Sequence, residues 1–243
     1  MPRFFVEPEA ICEGHATVAG GDAYHIARSL RMAVGDEITL ADGSGKEYLC
    51  RLTKIRDEEC TAEVISEQIS HSESPAEITL YMAYPKSDKL ELIIQKSIEL
   101  GAARIVPFES SRCIKRPKAE KIEKQTARLQ RIAEEAAKQC GRARIPEVLS
   151  PLSFKQMLQI ASQSELSLLC YENEDGRSIK DELSGTDKKS ISIIVGAEGG
   201  FAPEEAEAAV AAKLTPVNLG PRILRCETAP MYALSAISYQ LEL

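Results

Sequence analysis

The sequence predicts an α/β protein with a mostly parallel sheet, preceded by a small domain that is rich in β-structure. Residues 1 to about 70 contain alternating apolar and polar runs, and residues 70–77 (SHSESPAE) form a polar, proline-containing linker. Beyond the linker, strand-like and helix-like segments alternate with short connections, which is typical of a parallel sheet covered on both faces. We therefore expect two domains, residues 1–72 and 73–243.

The first domain contains a hairpin signal. Residues 34–55 comprise two alternating runs around a GSG turn, and residues 60–70 have the pattern of a further strand. Residues 22–31 are expected to form a short helix or turn that brings Arg28 and Arg31 near His25.

The second domain begins with a strand at 78–84 and a helix at 87–101, with Ser87 or Asp88 as its cap and Gly101 as its stop. A long helix is expected at about 119–140. The remaining elements alternate in the same way, with strands at 104–109, 145–149, 166–172, 191–195 and 215–219, and helices at 153–161, 203–212 and 229–241.

Composition limits the possible functions. No run of about 18 apolar residues is present, and the first residues lack the pattern of a secretion signal, so we expect neither a membrane span nor export. Seven single cysteines without a C-x-x-C pair favour reduced thiols in the cytoplasm. Three histidines without ligand partners at a usual spacing predict no metal site.

Charge is unevenly distributed along this acidic chain, whose formal net charge is −7. Residues 112–144 contain 11 Lys or Arg against four Glu, which makes this segment +7. One interpretation is an ordinary solvated helix face, because Lys and Arg at spacings of three and four are common there. The other is selective contact with nucleic acid.

Two glycine-containing loops each follow a predicted strand. In open parallel sheets, ligands bind beyond the carboxyl ends of the strands, which is where these loops begin. The first, GAEGGF (196–201), does not match G-x-G-x-x-G because Glu198 occupies the second glycine position, and no G-K-[ST] follows. A carboxylate there would repel phosphate, so a dinucleotide or P-loop function is not favoured. The alternative is a tight strand-to-helix connection without any ligand.

The second loop, GPRILRCETAP (220–230), places Ile223 and Leu224 between Arg222 and Arg225. We expect this connection to bury Ile223 and Leu224, which could sandwich a flat heterocycle. The two arginines could then meet phosphates or developing negative charge. A salt-bridged surface loop is the alternative.

The motifs IVGAEGGF and NLGPRILRCETAP, with EEAAKQCGR upstream, resemble those of the SPOUT class of S-adenosylmethionine-dependent RNA methyltransferases. Within that class the whole chain resembles the ribosomal RNA small-subunit methyltransferase E family, although Ala197 stands where the family usually has proline. The resemblance implies an N-terminal PUA-like β-barrel, a SPOUT domain with a C-terminal trefoil knot and a homodimer. It also implies methylation of N3 of a uridine in 16S ribosomal RNA of the small subunit.

By the same resemblance, the methyl-donor site comprises Leu169, Cys170, Tyr171, Gly196, Ala197, Glu198, Gly199, Gly200, Leu219, Gly220, Ile223, Leu224, Arg225, Thr228 and Ala229. Arg225 and Arg222 are the candidates to stabilise negative charge on the reacting base. The predicted RNA contacts are Arg3, Arg28, Arg31, Arg112, Lys115, Arg116, Gln139 and Arg142. Glu198 could bond the donor or its own loop, and we favour the loop. Cys226 is expected to be a packing residue.

Two alternatives stay open at this stage. The chain could be a SPOUT methyltransferase that acts on a ribose 2′-OH or on another base. It could also be an RNA-binding protein without catalytic activity. The sequence assigns no general base, and it does not choose between free RNA and the assembled subunit as substrate.

Overall fold

The computed structural model describes residues 1–86, 89–114 and 119–243. Its residues divide into two compact units, the first comprising Met1–Glu73 with Ala137–Ile145 and the second Ser74–Ala136 with Pro146–Leu243. The segment 137–145 thus groups with the first unit, although the sequence analysis placed it in the second domain.

The first unit is built on one sheet. Its elements are β1 (Arg3–Phe5), β2 (Ile11–Cys12), β3 (His15–Ala19), α1 (Gly20–Tyr24), β4 (Glu37–Ala41), β5 (Lys46–Ile55) and β6 (Glu59–Ile69). The strand order is β1-β4-β5-β6-β3-β2, antiparallel except for the parallel pair β1 and β4. The predicted hairpin is confirmed as β4 and β5. The predicted helix at 22–31 is α1 followed by one π-helical turn, His25–Ser29.

Alternation along these strands produces the core of the first unit. Inward-facing apolar side chains such as Val18, Ile38, Leu40 and Leu52 are fully buried and pack with Ile26. Their neighbours along each strand face solvent, as expected for a sheet with one buried face.

The second unit alternates strands and helices. Its elements are β7 (Glu77–Ala83), α2 (Lys89–Glu99), β8 (Arg104–Glu109), α3 (Ile122–Cys140), β9 (Glu147–Val148), β10 (Leu152–Ser153), α4 (Phe154–Ala161), β11 (Leu166–Cys170), α5 (Ile179–Leu183), β12 (Ser190–Val195), α6 (Pro203–Ala211), β13 (Thr215–Val217) and α7 (Thr228–Glu242). The last residues of α3 belong to the first unit. The predicted cap residues Ser87 and Asp88 lie outside the described residues. Helix α5 was not predicted.

The strands of the second unit form a parallel sheet in the order β10-β8-β7-β12-β11-β13, with β9 beside β8. This confirms the predicted α/β class with a parallel sheet. Strands β7, β11, β12 and β13 end at Ala83, Cys170, Val195 and Val217. Because parallel strands end at one edge, the loops that follow these residues meet there.

The loop after β12 is anchored by its last residue, Phe201, which is 1% exposed. The Phe201 ring stacks on that of Phe108 at 6.4 Å between centroids and lies 6.4 Å from that of Phe154. Glu205 adds polar anchors, since its carboxylate accepts hydrogen bonds from the backbone N–H of Ala202 at 3.0 Å and of Ser111 at 2.8 Å. The loop therefore ends in a fixed position.

We expect Phe201→Ala to lower the free energy of unfolding by about 3–5 kcal/mol, because it removes a fully buried ring from an aromatic cluster. Urea unfolding measures this as a lower midpoint at constant m-value. The control, Val210→Ala on the exposed face of α6, should change stability by less than about 0.5 kcal/mol. Equal midpoints for wild type and Phe201→Ala would show that the ring does not anchor the loop.

Candidate functional site

A cleft of about 820 Å³ lies at the carboxyl edge of the parallel sheet. Three chain segments line it, from Cys170 to Asp175 after β11, from Val195 to Gly200 after β12 and from Asn218 to Cys226 after β13. Lys89, the first residue of α2, and Ala229 in the first turn of α7 complete the lining. All of these residues belong to the second unit.

Most of the residues predicted to bind the cofactor meet in this cleft. The lining includes Cys170, Tyr171, Gly196, Ala197, Glu198, Gly200, Leu219, Gly220, Ile223, Leu224, Arg225 and Ala229, together with the predicted catalytic Arg222. Three predicted residues are not part of the lining. Leu169 is fully buried within β11, Gly199 binds Arg112 through its carbonyl, and the backbone N–H of Thr228 donates to the Arg225 carbonyl.

The sequence analysis missed an acidic group in the lining. Glu172, Glu174 and Asp175 follow β11 and line the cleft, with the Glu172 carboxylate next to Gly200 of the first loop. The run YENED directly after a buried strand was the signal that could have identified them. Together with Glu198 they give the cleft a negative wall, which suits a cationic ligand and disfavours phosphate.

Glycine is required at two places in the first loop. A Cβ on Gly196 would lie 3.1 Å from the backbone carbonyl carbon of Gly200 and 3.3 Å from the Phe201 ring. Gly200 has a φ of +61°, a left-handed conformation that glycine adopts without strain. The loop therefore folds tightly back on itself and leaves its backbone close to the cleft.

The Glu198 carboxylate accepts hydrogen bonds from the backbone N–H of Lys86, at 3.0 Å to Oε1 and 3.2 Å to Oε2. Burial favours the neutral acid, but bonds from its own backbone N–H and from Lys86, with the ammonium of Lys89, outweigh it and lower the pKa of Glu198. Glu198 thus stabilises its loop as an ionised group while it also faces the cleft.

Lys89 connects the two glycine-containing loops. Its Nζ lies 3.3 Å from Oε1 of Glu198 and 3.0 Å from Oε2 of Glu227. The hydrogen bond from Lys89 is the main cause that lowers the pKa of Glu227 to about 2, and the same bond raises the pKa of Lys89. All three groups are less than one third exposed, so the bridge is partly shielded from solvent.

Cys226 is a neutral thiol in this environment. Burial, the hydrogen bond between its Sγ and Oε2 of Glu227 at 3.2 Å and the nearby carboxylates raise the pKa of Cys226 to about 12. A thiol is a poor nucleophile when it is not ionised, and this one is buried. These features support the predicted packing role.

Arg222 and Arg225 are exposed at the mouth of the cleft. Ile223 between them is 88% exposed, so the expected burial of this side chain was wrong, while Leu224 is partly buried. The segment turns without a regular element between Asn218 and Glu227, which leaves the Ile223 side chain outside the packed loop.

The residues predicted to contact RNA have diverse environments. Arg28 is exposed and forms a forked pair with Asp57, and Arg31 and Gln139 are exposed. Arg3 is largely buried and donates to Glu47 at 2.9 Å. Arg112 is exposed, but its Nη1 donates to the Gly199 carbonyl at 2.8 Å. Lys115 and Arg116 lie outside the described residues.

Arg142 requires a correction. It is only 4% exposed and its Nε lies 3.2 Å from Oε2 of Glu73. The Glu73 carboxylate also accepts from the backbone N–H of Ala143 at 3.0 Å and of Arg144 at 3.1 Å. A direct contact with RNA would need this buried arrangement to open, and the contacts favour a role for Arg142 in the packing of the first unit.

In residues 1–86, 89–114 and 119–243, no group of three or more His, Cys, Asp or Glu side chains is placed to bind a metal ion. No helix there is both long enough and apolar enough to cross a membrane.

A family model described as an RNA methyltransferase domain matches residues 72–238, and one described as an RNA methyltransferase PUA domain matches residues 18–65. With the parallel sheet and its cleft, these matches define an RNA methyltransferase. Ribosomal RNA small subunit methyltransferase E of Bacillus subtilis is 36% identical over 251 residues, which cover 100% of this chain and 98% of the relative. The chain belongs to the ribosomal RNA small subunit methyltransferase E family.

Solved structures agree with this assignment. The ribosomal RNA small subunit methyltransferase E from Neisseria gonorrhoeae, bound to S-adenosylmethionine, has a TM-score of 0.86 and 32% identity over 98% of this chain and 97% of its own. A methyltransferase structure from Legionella pneumophila with bound S-adenosylmethionine has a TM-score of 0.86 and 30% identity, covering 98% and 96%. The predicted family and the combination of an α/β domain with a PUA domain are confirmed.

We expect Lys89→Met to weaken S-adenosylmethionine binding at least about tenfold, because Glu198 and Glu227 lose the cation that holds their loops together. Calorimetric titration measures the Kd. Lys89→Arg should keep most of the affinity. The control is Lys96→Met, which removes from the same helix a cation that pairs with Glu99. A wild-type Kd for Lys89→Met would disprove the role of this bridge.

We expect Arg142→Ala to lower the free energy of unfolding by about 3 kcal/mol, because it leaves the Glu73 carboxylate without its buried cation. Urea unfolding of the full chain measures the change. Arg144→Ala is the control, since this neighbour is exposed. If Arg142→Ala were as stable as wild type and impaired only RNA binding, the original prediction of a direct contact would stand.

Proposed function

We propose that this chain is an S-adenosylmethionine-dependent methyltransferase that modifies N3 of a uridine in 16S ribosomal RNA of the small subunit. The observation that carries the proposal is the cleft at the carboxyl edge of the sheet, with an acidic wall and two glycine-containing loops that lack a phosphate fingerprint. Membership of the family supports the same conclusion, because relatives are named for this activity on small-subunit ribosomal RNA.

The residues of the cleft fit this cofactor. S-adenosylmethionine carries no phosphate and has two cationic centres, which suit Glu172, Glu174 and Asp175. The backbone of the 196–200 loop lies close to the cleft, where it offers N–H and carbonyl groups to a heterocycle or a ribose. When bound, the cofactor supplies an electrophilic methyl group that is transferred in a single displacement. The protein then has to align the acceptor nitrogen, exclude water and stabilise charge.

Arg225 is placed to stabilise the acceptor base. Uridine N3 carries a proton at neutral pH, and its loss leaves negative charge that spreads to O2 and O4. The guanidinium of Arg225, with that of Arg222 beside it, is exposed at the mouth of the cleft where a base would enter. The transfer forms an N–C bond, breaks an S–C bond and releases the N3 proton.

A trefoil knot in the C-terminal part is a further element of the proposal. After β13, at the edge of the sheet, the chain returns to its centre, where α7 packs on β12 and α2. Helix α7 also packs on α5, which belongs to the connection between β11 and β12. The packing of α7 against this connection supports a threaded segment.

We also propose a homodimer that functions in the cytoplasm. Helix α7 exposes Tyr232 and Tyr239, so aromatic surface is available for a second copy. The free cysteines suit a reducing compartment. Light scattering of the purified chain tests the dimer, and a monomer at micromolar concentration would refute it.

The site of modification is tested with labelled S-adenosylmethionine and small subunits that lack the mark. Methylation at N3 blocks the Watson–Crick edge, so reverse transcription should stop one nucleotide before the modified uridine. Mass spectrometry of the digested RNA should then yield N3-methyluridine. A ribose-methylated or other nucleoside would favour the alternative target. Failure to bind the cofactor at all would favour an RNA-binding protein without activity.

We expect Arg225→Ala to lower the single-turnover rate at saturating cofactor by about 10², because it removes a charge-stabilising donor. Arg225→Lys should recover only part of the rate, since lysine lacks the planar fork. Arg104→Ala, at the amino edge of the sheet, is the control and should keep the wild-type rate. An unchanged rate for Arg225→Ala would remove this residue from the catalytic machinery.

A further inference from the structure

Four cations form one stripe along the start of α3. Lys121, Lys124, Arg128 and Arg131 are exposed and follow each other at spacings of three, four and three residues, which is one face of a helix. The stripe is about 15 Å long at 1.5 Å per residue. The packing face of α3 is separate, because it consists of the buried Leu129, Ala133 and Ala136.

The charges of this stripe are largely uncompensated. Arg128 pairs with Glu91 at 2.8 Å and is still 70% exposed. For Lys121, Lys124 and Arg131, no carboxylate lies within ion-pair distance in the described part of the chain. Lys124 does not pair with Glu120, although a spacing of four residues would allow it.

Two of the four cations, Lys121 and Lys124, lie where they oppose helix stability. The amino end of a helix carries partial positive charge, so cations in the first turns are unfavourable there and carboxylates are favourable. Glu123 offsets this only in part, since Lys121 precedes α3 directly and Lys124 lies in its first turn. An anion bound outside the helix would offset the cost of Lys121 and Lys124 at this end.

The stripe starts on the cleft side of the sheet. Strand β8 ends at Glu109, and the chain continues at the carboxyl edge, where Ser111 binds Glu205 and Arg112 binds Gly199 of the first cleft loop. Helix α3 then runs back along the sheet toward β9, which pairs with the first residues of β8. A strand of nucleic acid whose base occupies the cleft could therefore continue along α3.

We propose that Lys121, Lys124, Arg128 and Arg131 form a second RNA-binding surface, which holds the phosphate backbone of the substrate RNA beside the cleft. This inference rests on the proposed function. The surface contributes affinity for RNA but does not select the base, because lysine and arginine side chains that contact only phosphate do not read the sequence.

The test compares Lys121→Gln/Lys124→Gln/Arg131→Gln with Lys188→Gln/Lys189→Gln/Lys213→Gln in the full chain. The control variant loses the same charge from exposed positions at the amino edge of the same sheet. The probe is an unmodified 16S ribosomal RNA transcript, bound at several salt concentrations. We expect the stripe variant to bind about tenfold more weakly and its slope of log Kd against log salt to fall by about two, since single strands release about 0.7 counterion per phosphate. The control should keep the wild-type slope.

Two further variants separate this role from a folding defect. Glu135→Gln removes an exposed carboxylate from the same face of α3 and should tighten RNA binding, an effect that misfolding cannot produce. Lys121→Arg/Lys124→Arg should keep the wild-type slope. In methylation assays the stripe variant should raise KM for RNA while kcat and the calorimetric Kd for S-adenosylmethionine stay unchanged.

Each contrary result has a distinct meaning. The proposal is overturned if the salt slope of the stripe variant is unchanged, or if the control loses as much RNA affinity as the stripe variant. In either case, methylation by the wild type would leave the proposed function intact. Impaired methylation of assembled subunits with a wild-type slope on the naked transcript would overturn it in favour of a ribosomal protein contact. A wild-type protein that binds the cofactor but methylates neither the transcript nor small subunits that lack the mark would refute the proposed function itself.

Discussion

The parallel register of β12 between β7 and β11 is the constraint on which the site depends. Each of these strands ends at the same edge, so the segments after Ala83, Cys170 and Val195 meet although they are far apart in sequence. An antiparallel neighbour would place its loop at the opposite edge. The cleft therefore follows from the direction of the strands before any individual side chain is considered.

On this frame, electrostatic contacts fix the loops. The Glu198 carboxylate accepts a hydrogen bond from the backbone N–H of Lys86. The Lys89 ammonium forms ion pairs with both Glu198 and Glu227, and so links the first loop to the second. These carboxylates are ionised in the folded state well below neutral pH, as the lowered pKa values of Glu198 and Glu227 indicate. Their contribution to stability is thus present above the ordinary pKa of glutamate and is lost as the pH falls through the lowered values. The bridge operates unchanged across the physiological range.

The sequence predicted the features that depend on local pattern. Apolar runs identified the strands, and the two motif loops identified most of the cleft lining. Helix α5 was not predicted because five residues are too few to show a helical period. Its start is marked by the hydrogen bonds between Ser178 and Asp181. The role of Lys89 in the site was not predicted because its partner Glu227 lies 138 residues away in the sequence. The burial of Arg142 could not be predicted, because its partner Glu73 lies 69 residues away in the sequence.

The cleft and its surroundings have to satisfy opposite electrostatic demands. An acidic wall of Glu172, Glu174 and Asp175 suits a cationic methyl donor, but the same wall repels a polyanionic RNA. Screening leaves this repulsion effective only within about one Debye length of roughly 8 Å at physiological salt. Cations farther than this from the acidic wall can therefore attract the RNA without neutralising the wall. In the proposed function, the arginines at the mouth of the cleft and the exposed stripe on α3 would supply these cations.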